Sequence, residues 1–233
     1  MKILIDMYTP MIKASNPMAA GAYLCGWISG IALGLQYAIS VCNKSVEVSI
    51  DHIEVQLYEK NNNYWFAFKV NRWHEQEAPE VEDERIVWRN QLLTDFYQHT
   101  IRPLFESIAH SSGLEVGQLW GQLPTRFYYG MAQWKATENE ALINKRIDDD
   151  YGFLVNQMDW TLLGRKKSPF DVKIRMVESL LDPLQQVQIK NVCCLYYMTE
   201  GGECCYTCPR MKESDRVARR MKRRTEAEAN HKQ

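Results

Sequence analysis

Five of the seven cysteines in this chain fall within sixteen residues: Cys193, Cys194, Cys204, Cys205 and Cys208. Cys25 and Cys42 stand alone. The spacing is an adjacent pair, ten intervening residues, then C-x-x-C. Four thiolates brought to one place suit an iron–sulfur cluster, a structural zinc ion or a thiol–disulfide relay. Gly201-Gly202 lies between the pairs and allows the sharp reversal that would bring them together. In C-x-x-C a tight turn puts both sulfurs on one side. Adjacent cysteines ordinarily point apart, so both ligate only where the backbone is irregular. Zinc ribbons favour two C-x2–4-C pairs instead. A disulfide scaffold would spread its cysteines and needs an oxidising compartment. Asp6 interrupts the first apolar run, so no secretory signal is expected.

The elements that must position these thiols form an expected α+β fold, with an antiparallel β-sheet or hairpin in the N-terminal half and a mostly helical C-terminal half. Asn16 and Pro17 start a helix over 18–41. Residues 18–42 carry no charge and are long enough to span a bilayer, with Gly26, Gly30 and Gly34 at four-residue spacing. Polar Ser29, Gln36 and Ser40 favour a buried helix, crossed closely by another helix at the small residues, and no stable membrane span. Alternation over 46–50 and 53–58 predicts a hairpin, and Asn61-Asn62-Asn63 a turn into a strand over 64–70. Residues 75–84 are acidic, contain Pro79 and read as a solvated loop. A helix is expected over 86–108, kinked or restarted at Pro103, and another over 119–134, interrupted at Pro124. Residues 138–147 read as helix and Asp148-Asp149-Asp150 as a turn. Residues 174–181 form a short, mostly apolar segment that Pro183 ends. One compact domain is expected: a scaffold over 1–190, a cysteine segment over 191–209 and a basic helical tail over 210–233.

Charge is uneven. The net is −1, which predicts no nucleic-acid partner, yet 210–233 holds nine Lys/Arg against four Asp/Glu. Arg216, Arg219, Arg220, Arg223 and Arg224 recur at helical spacing as one basic stripe. Such a stripe is either a solvated face or a docking site for an acidic partner, with anionic lipid a rival. No G-x-G-x-x-G follows a strand and no P-loop is present. A nicotinamide or flavin site is therefore not expected, and electrons must come from outside. Arg126, Arg146, Arg165, Lys166 and Lys167 are candidate anchors for an anionic ligand, each also readable as an ordinary surface residue. The histidines share no ligand spacing.

The run Cys193-Cys194-Leu195-Tyr196-Tyr197, followed by Cys205-Tyr206-Thr207-Cys208-Pro209, resembles the C-C-x10-C-x2-C signature of the FhuF-like ferric siderophore reductase family. Leu119-Trp120-Gly121 and Leu123-Pro124-Thr125-Arg126-Phe127 are similar to that family's helical region, less distinctively. The first hundred residues show no such likeness. The resemblance implies a [2Fe–2S] cluster on Cys193, Cys194, Cys205 and Cys208, with Cys204 a spare thiol. It implies a cytoplasmic oxidoreductase, membrane association being the alternative. Its substrate would be a ferric siderophore or a ferric citrate-type chelate, which releases iron after one-electron reduction. Its donor would be external: a ferredoxin- or flavodoxin-like protein, or a small reductant. A small electron carrier without a substrate site is a competing reading, which the 190 residues before the cysteines make too large for the task. A structural zinc protein is another.

Overall fold

The computed structural model describes residues 1–61, 63–138 and 140–230. A short helix, α1 (Lys2–Met11), leads into the longest one, α2 (Pro17–Ser40). Asn16 caps α2 by accepting a 2.8 Å hydrogen bond from the Met18 amide. Pro17 occupies the first turn, where its missing N–H costs nothing. Leu24, Cys25, Ile28, Ala32, Leu35 and Ile39 form the buried face of α2, at the three- and four-residue steps of a helix. The helix is long and apolar enough to cross a membrane, and 56% of its most apolar stretch is buried within the fold. The close helix crossing is not where the glycine spacing suggested. Gly30 and Gly34 have no atom within 4 Å of a Cβ placed on them. Gly21 does: a Cβ there would lie 2.5 Å from Ser112 Oγ.

Strands β1 (Lys44–Val46), β2 (Ile53–Lys60), β3 (Asn63–Val70) and β4 (Glu75–Glu77) follow. β2 and β3 form the long antiparallel hairpin, in register from Ile53↔Val70 to Lys60↔Asn63. Asn61 turns it with φ 53°, a left-handed conformation that asparagine tolerates. Asn62, in the same expected turn, lies outside the described residues. The expected pairing of 46–50 with 53–58 does not occur. β1 pairs instead with β4, inside the stretch expected as a solvated loop, with Lys44 opposite Glu77. The Lys44 ammonium bridges Glu75 and Glu77 at 3.4 and 2.8 Å. Opposite charge across the ladder thus stabilises a strand with little β-propensity of its own.

Helices make up most of the remainder. α3 (Glu82–Phe96) passes through a π turn at Tyr97–Ile101 into α4 (Arg102–Ser112). Pro103 lacks the N–H for the next helical bond, and the helix widens just before it. α5 (Val116–Trp120) and α6 (Leu123–Thr137) are separate, with Pro124 in the first turn of α6. α7 (Ala141–Asn156) runs straight through Asp148–Asp150, where a turn was expected. The reason is partnership across the fold: Asp150 is fully buried and accepts from Arg85 at 2.9 Å, Arg89 at 2.7 Å and Ser40 at 2.8 Å. That network joins α2, α3 and α7. Trp120 sits at the aromatic centre against Phe105, Trp160 and Tyr97, at ring separations of 5.0, 5.7 and 6.2 Å. A third ribbon pairs β5 (Met176–Glu178) with β6 (Gln186–Gln188), and α8 (Glu213–Asn230) ends the described chain. The architecture is α+β, with three two-stranded antiparallel ribbons among the described residues around a helical core. Residues 231–233 of the expected tail lie outside the described residues.

Candidate metal centre and the adjoining cavity

The cysteine segment is built from both ends inward. The Asn191 amide donates to Thr125 Oγ1 at 3.0 Å, and the Asn191 side chain donates to the Gly121 carbonyl at 3.1 Å. A Cβ on Gly121 would lie 2.6 Å from Val192, so only glycine lets the end of α5 meet this segment. Gln118 donates to the Cys193 carbonyl at 3.0 Å. The backbone then leaves regular structure: Leu195 has φ 60°, directly after the adjacent cysteines. Cys193 and Cys194 consequently reach different partners.

A tight loop returns the chain. Gly201 takes φ 68°, and a Cβ on Gly202 would lie 2.0 Å from the Tyr196 carbonyl oxygen. The loop is strapped to the N-terminal region. The Ser15 amide donates to Met198 O at 2.8 Å, the Glu200 amide to Lys13 O at 2.9 Å, and Ala14 bridges Thr199. The Lys190 amide donates to Thr207 O at 2.9 Å, which draws the two cysteine pairs side by side.

The thiols stand as two close pairs. Cys193 Sγ and Cys208 Sγ are 3.4 Å apart. The Cys205 thiol donates to the Cys194 sulfur, and the Lys190 ammonium lies 3.4 Å from Cys194 Sγ. That hydrogen bond, helped by Lys190, draws the Cys194 thiol down to about 5 and pushes Cys205 up. Burial pushes Cys193 up to about 12. Burial works against the Lys190 ammonium, but the sulfurs of Cys194 and Cys205 outweigh it and its pKa rises. Cys204 is half-buried beside Cys208, and burial raises its thiol. Cys25 donates to the Leu119 carbonyl within the core, and burial raises it to about 12. It has no part in this centre.

Among the described residues, no three His, Cys, Asp or Glu side chains converge as one metal ion would require. The donor set instead fits a binuclear group that takes two thiolates on each metal. Two thiolates on one tetrahedral metal with ~2.3 Å bonds stand about 3.8 Å apart, close to the Cys193–Cys208 separation. Each pair joins one sulfur from either limb of the loop.

A cavity of about 620 Å³ opens beside this centre, between α2, α6 and residues 190–194. Tyr23, Trp27, Gln122, Arg126, Tyr129, Lys190 and Cys194 are among its walls, and no carboxylate lines it. Of the sequence candidates for anion binding, Arg126 alone lines it. Arg146 donates to the Val41 carbonyl at 3.4 Å, beyond the end of α2. Arg165 packs against Gly117, Lys167 lies 4.0 Å from Asp171, and Lys166 is exposed. Lys190 was missed. Its only sequence signal is a basic residue three positions before Cys193.

The basic stripe of α8 turns largely inward. Arg216 is 3% exposed and donates to the Tyr206 and Cys208 carbonyls, each at 2.9 Å. Arg219 donates to the Cys204 carbonyl at 2.8 Å and pairs with Glu203. Arg220 and Arg224 both pair with Glu178. Arg223 is left exposed, near Glu226. Four of the five expected docking residues thus hold the C-x-x-C limb and the β5 ribbon.

No model of a known family, no curated protein and no solved structure matches the chain. The family resemblance rests on the cysteine spacing and the short helical runs quoted with it.

Proposed function

We propose that the chain is a [2Fe–2S] ferric-chelate reductase acting on siderophore or citrate-type complexes. The observation that carries this reading is the two-by-two pairing of Cys193/Cys208 and Cys194/Cys205, with Cys194 opening into a cavity large enough for a chelate. When bound, the cluster supplies a one-electron carrier. The chain's own residues do the rest. Trp27 and Tyr23 supply aromatic walls, and Arg126 offers a cation to oxygen-rich ligands. One electron converts Fe(III) to Fe(II), which hard oxygen donors hold more weakly, so the product leaves as ferrous iron. No proton, acid or nucleophile is required.

The cavity favours a reductase over a bare carrier, and the paired sulfurs favour a binuclear cluster over zinc. The donor is external, and Arg223 is the exposed stripe residue that can meet it. Reduced thiols suit the cytoplasm. The exposed side of α2 lines cavities and its other side lies in the core, which suits a protein without a stable span.

The test is anaerobic single turnover. Protein loaded with iron and sulfide, then reduced, is mixed with ferric citrate and a ferric trihydroxamate in the presence of a ferrous chelator. One ferrous ion per cluster is the expected yield. A colourless zinc-containing protein, or reoxidation by no chelate, would refute the reading.

A further inference from the structure

Two cations face the cavity without a carboxylate partner. Elsewhere the buried and half-buried basic side chains are largely paired: Arg85 and Arg89 with Asp150, Arg216 with Glu213, Arg220 and Arg224 with Glu178. Among the described residues, neither Lys190 nor Arg126 forms an ion pair. Lys190 is half-buried where the cavity wall meets the thiols, 3.4 Å from Cys194 Sγ. Arg126 approaches from α6, with Nη2 3.7 Å from where a Gly26 Cβ would stand. Trp27 and Tyr23 add aromatic surface to the same cavity. A cation with no carboxylate partner in a cavity wall favours an anionic ligand and opposes a cationic one.

We propose that Lys190 is a specificity-determining and positioning residue that, with Arg126, selects ferric chelates of net negative charge and seats them against Cys194. The inference rests on the reductase reading and goes beyond it by naming the charge class of the substrate and the wall it binds. A chelate whose uncoordinated carboxylates reach Lys190 brings its iron to the one cysteine that is both a candidate ligand and a cavity residue. A chelate carrying a free ammonium would meet two like charges.

Gallium(III) serves as the probe, because it matches Fe(III) in charge and closely in size but accepts no electron. Binding of gallium citrate and of gallium desferrioxamine B, which keeps a free ammonium, is followed by titration calorimetry on the cluster-loaded protein. The wild type should bind the citrate complex at least ten-fold more tightly. Lys190→Met should lose roughly ten-fold for the citrate complex alone, as expected for a lost charged hydrogen bond. Lys190→Arg should restore most of it. Arg126→Met, at a residue outside the candidate ligand set, should show the same selective loss even if Lys190→Met fails to hold its cluster. Equal wild-type affinity for both complexes would overturn the proposal. So would an Arg126→Met and Lys190→Met pair that shifts only the midpoint potential and leaves the preference intact. If gallium citrate binds as described but ferric citrate is never reduced, the reductase reading fails while the anion site stands.

Discussion

Replacing Arg216 with methionine should detach the C-terminal helix from the cysteine segment. The side chain is 3% exposed, and its guanidinium donates to the Tyr206 and Cys208 carbonyls at 2.9 Å. Methionine keeps the length and removes the donors. Each hydrogen bond from a charged donor contributes ~1.5–3 kcal/mol, and the carbonyls left behind stay partly buried. The loss is therefore about 3–5 kcal/mol, a large share of the ~5–15 kcal/mol that holds a typical domain. In a chain of this size that corresponds to a Tm lower by roughly 10 °C. Arg223→Met is the control. Arg223 has a side chain 61% exposed and an ion pair of the kind worth ~0–1 kcal/mol, so its Tm should move by no more than about 2 °C. Thermal unfolding by circular dichroism measures both, and visible absorbance reports whether the metal centre is lost first. If the two variants melt together, Arg216 does not brace the cysteine segment and the inward reading of the stripe is wrong.

Serine at Cys193, Cys194, Cys205 or Cys208 should each abolish the visible spectrum and iron content, whereas Cys204→Ser should keep them; the reverse result at 204 and 205 would shift the ligand set by one residue. Asp150→Ala strands Arg85 and Arg89 in the core and should cost ~3–5 kcal/mol by denaturant titration, and an unchanged midpoint would show the network to be dispensable. Gly202→Ala drives a Cβ against the Tyr196 carbonyl and should lower cluster occupancy, while Gly30→Ala, with open space around it, should not. Arg223→Glu should slow reduction by an acidic protein donor at low salt and leave a small neutral reductant unaffected; equal rates with the protein donor would remove docking from the stripe altogether.

Features set by neighbours in sequence were legible. The start of α2 follows from Asn16 and Pro17, and the β2–β3 hairpin from two β-rich runs around asparagines. Features set by distant partners were not. Glu75–Glu77 reads as loop because nothing nearby announces that Lys44 lies across from it. Asp148–Asp150 reads as a turn because a buried carboxylate mid-helix makes sense only with Arg85 and Arg89 in view. The arginine stripe shows its helical period in sequence, but the direction it faces depends on α8 lying over residues 203–208. The cysteines were the most legible part of the candidate centre, since their density needs no partner to be noticed. Lys190 was the least, a single lysine whose meaning comes from a 3.4 Å approach to a sulfur.

The strap between residues 13–15 and the 198–200 loop sets an order of events during biosynthesis. The second contact partner is made ~185 residues after the first, about 10–40 s later at ordinary synthesis rates. By then α2 and the helices around Trp120 are already made and able to pack. The cysteine segment is made after them and folds back onto their surface at Gly121, Thr125 and Ser15. Under the proposed function, cluster acquisition therefore follows a standing scaffold rather than nucleating its folding.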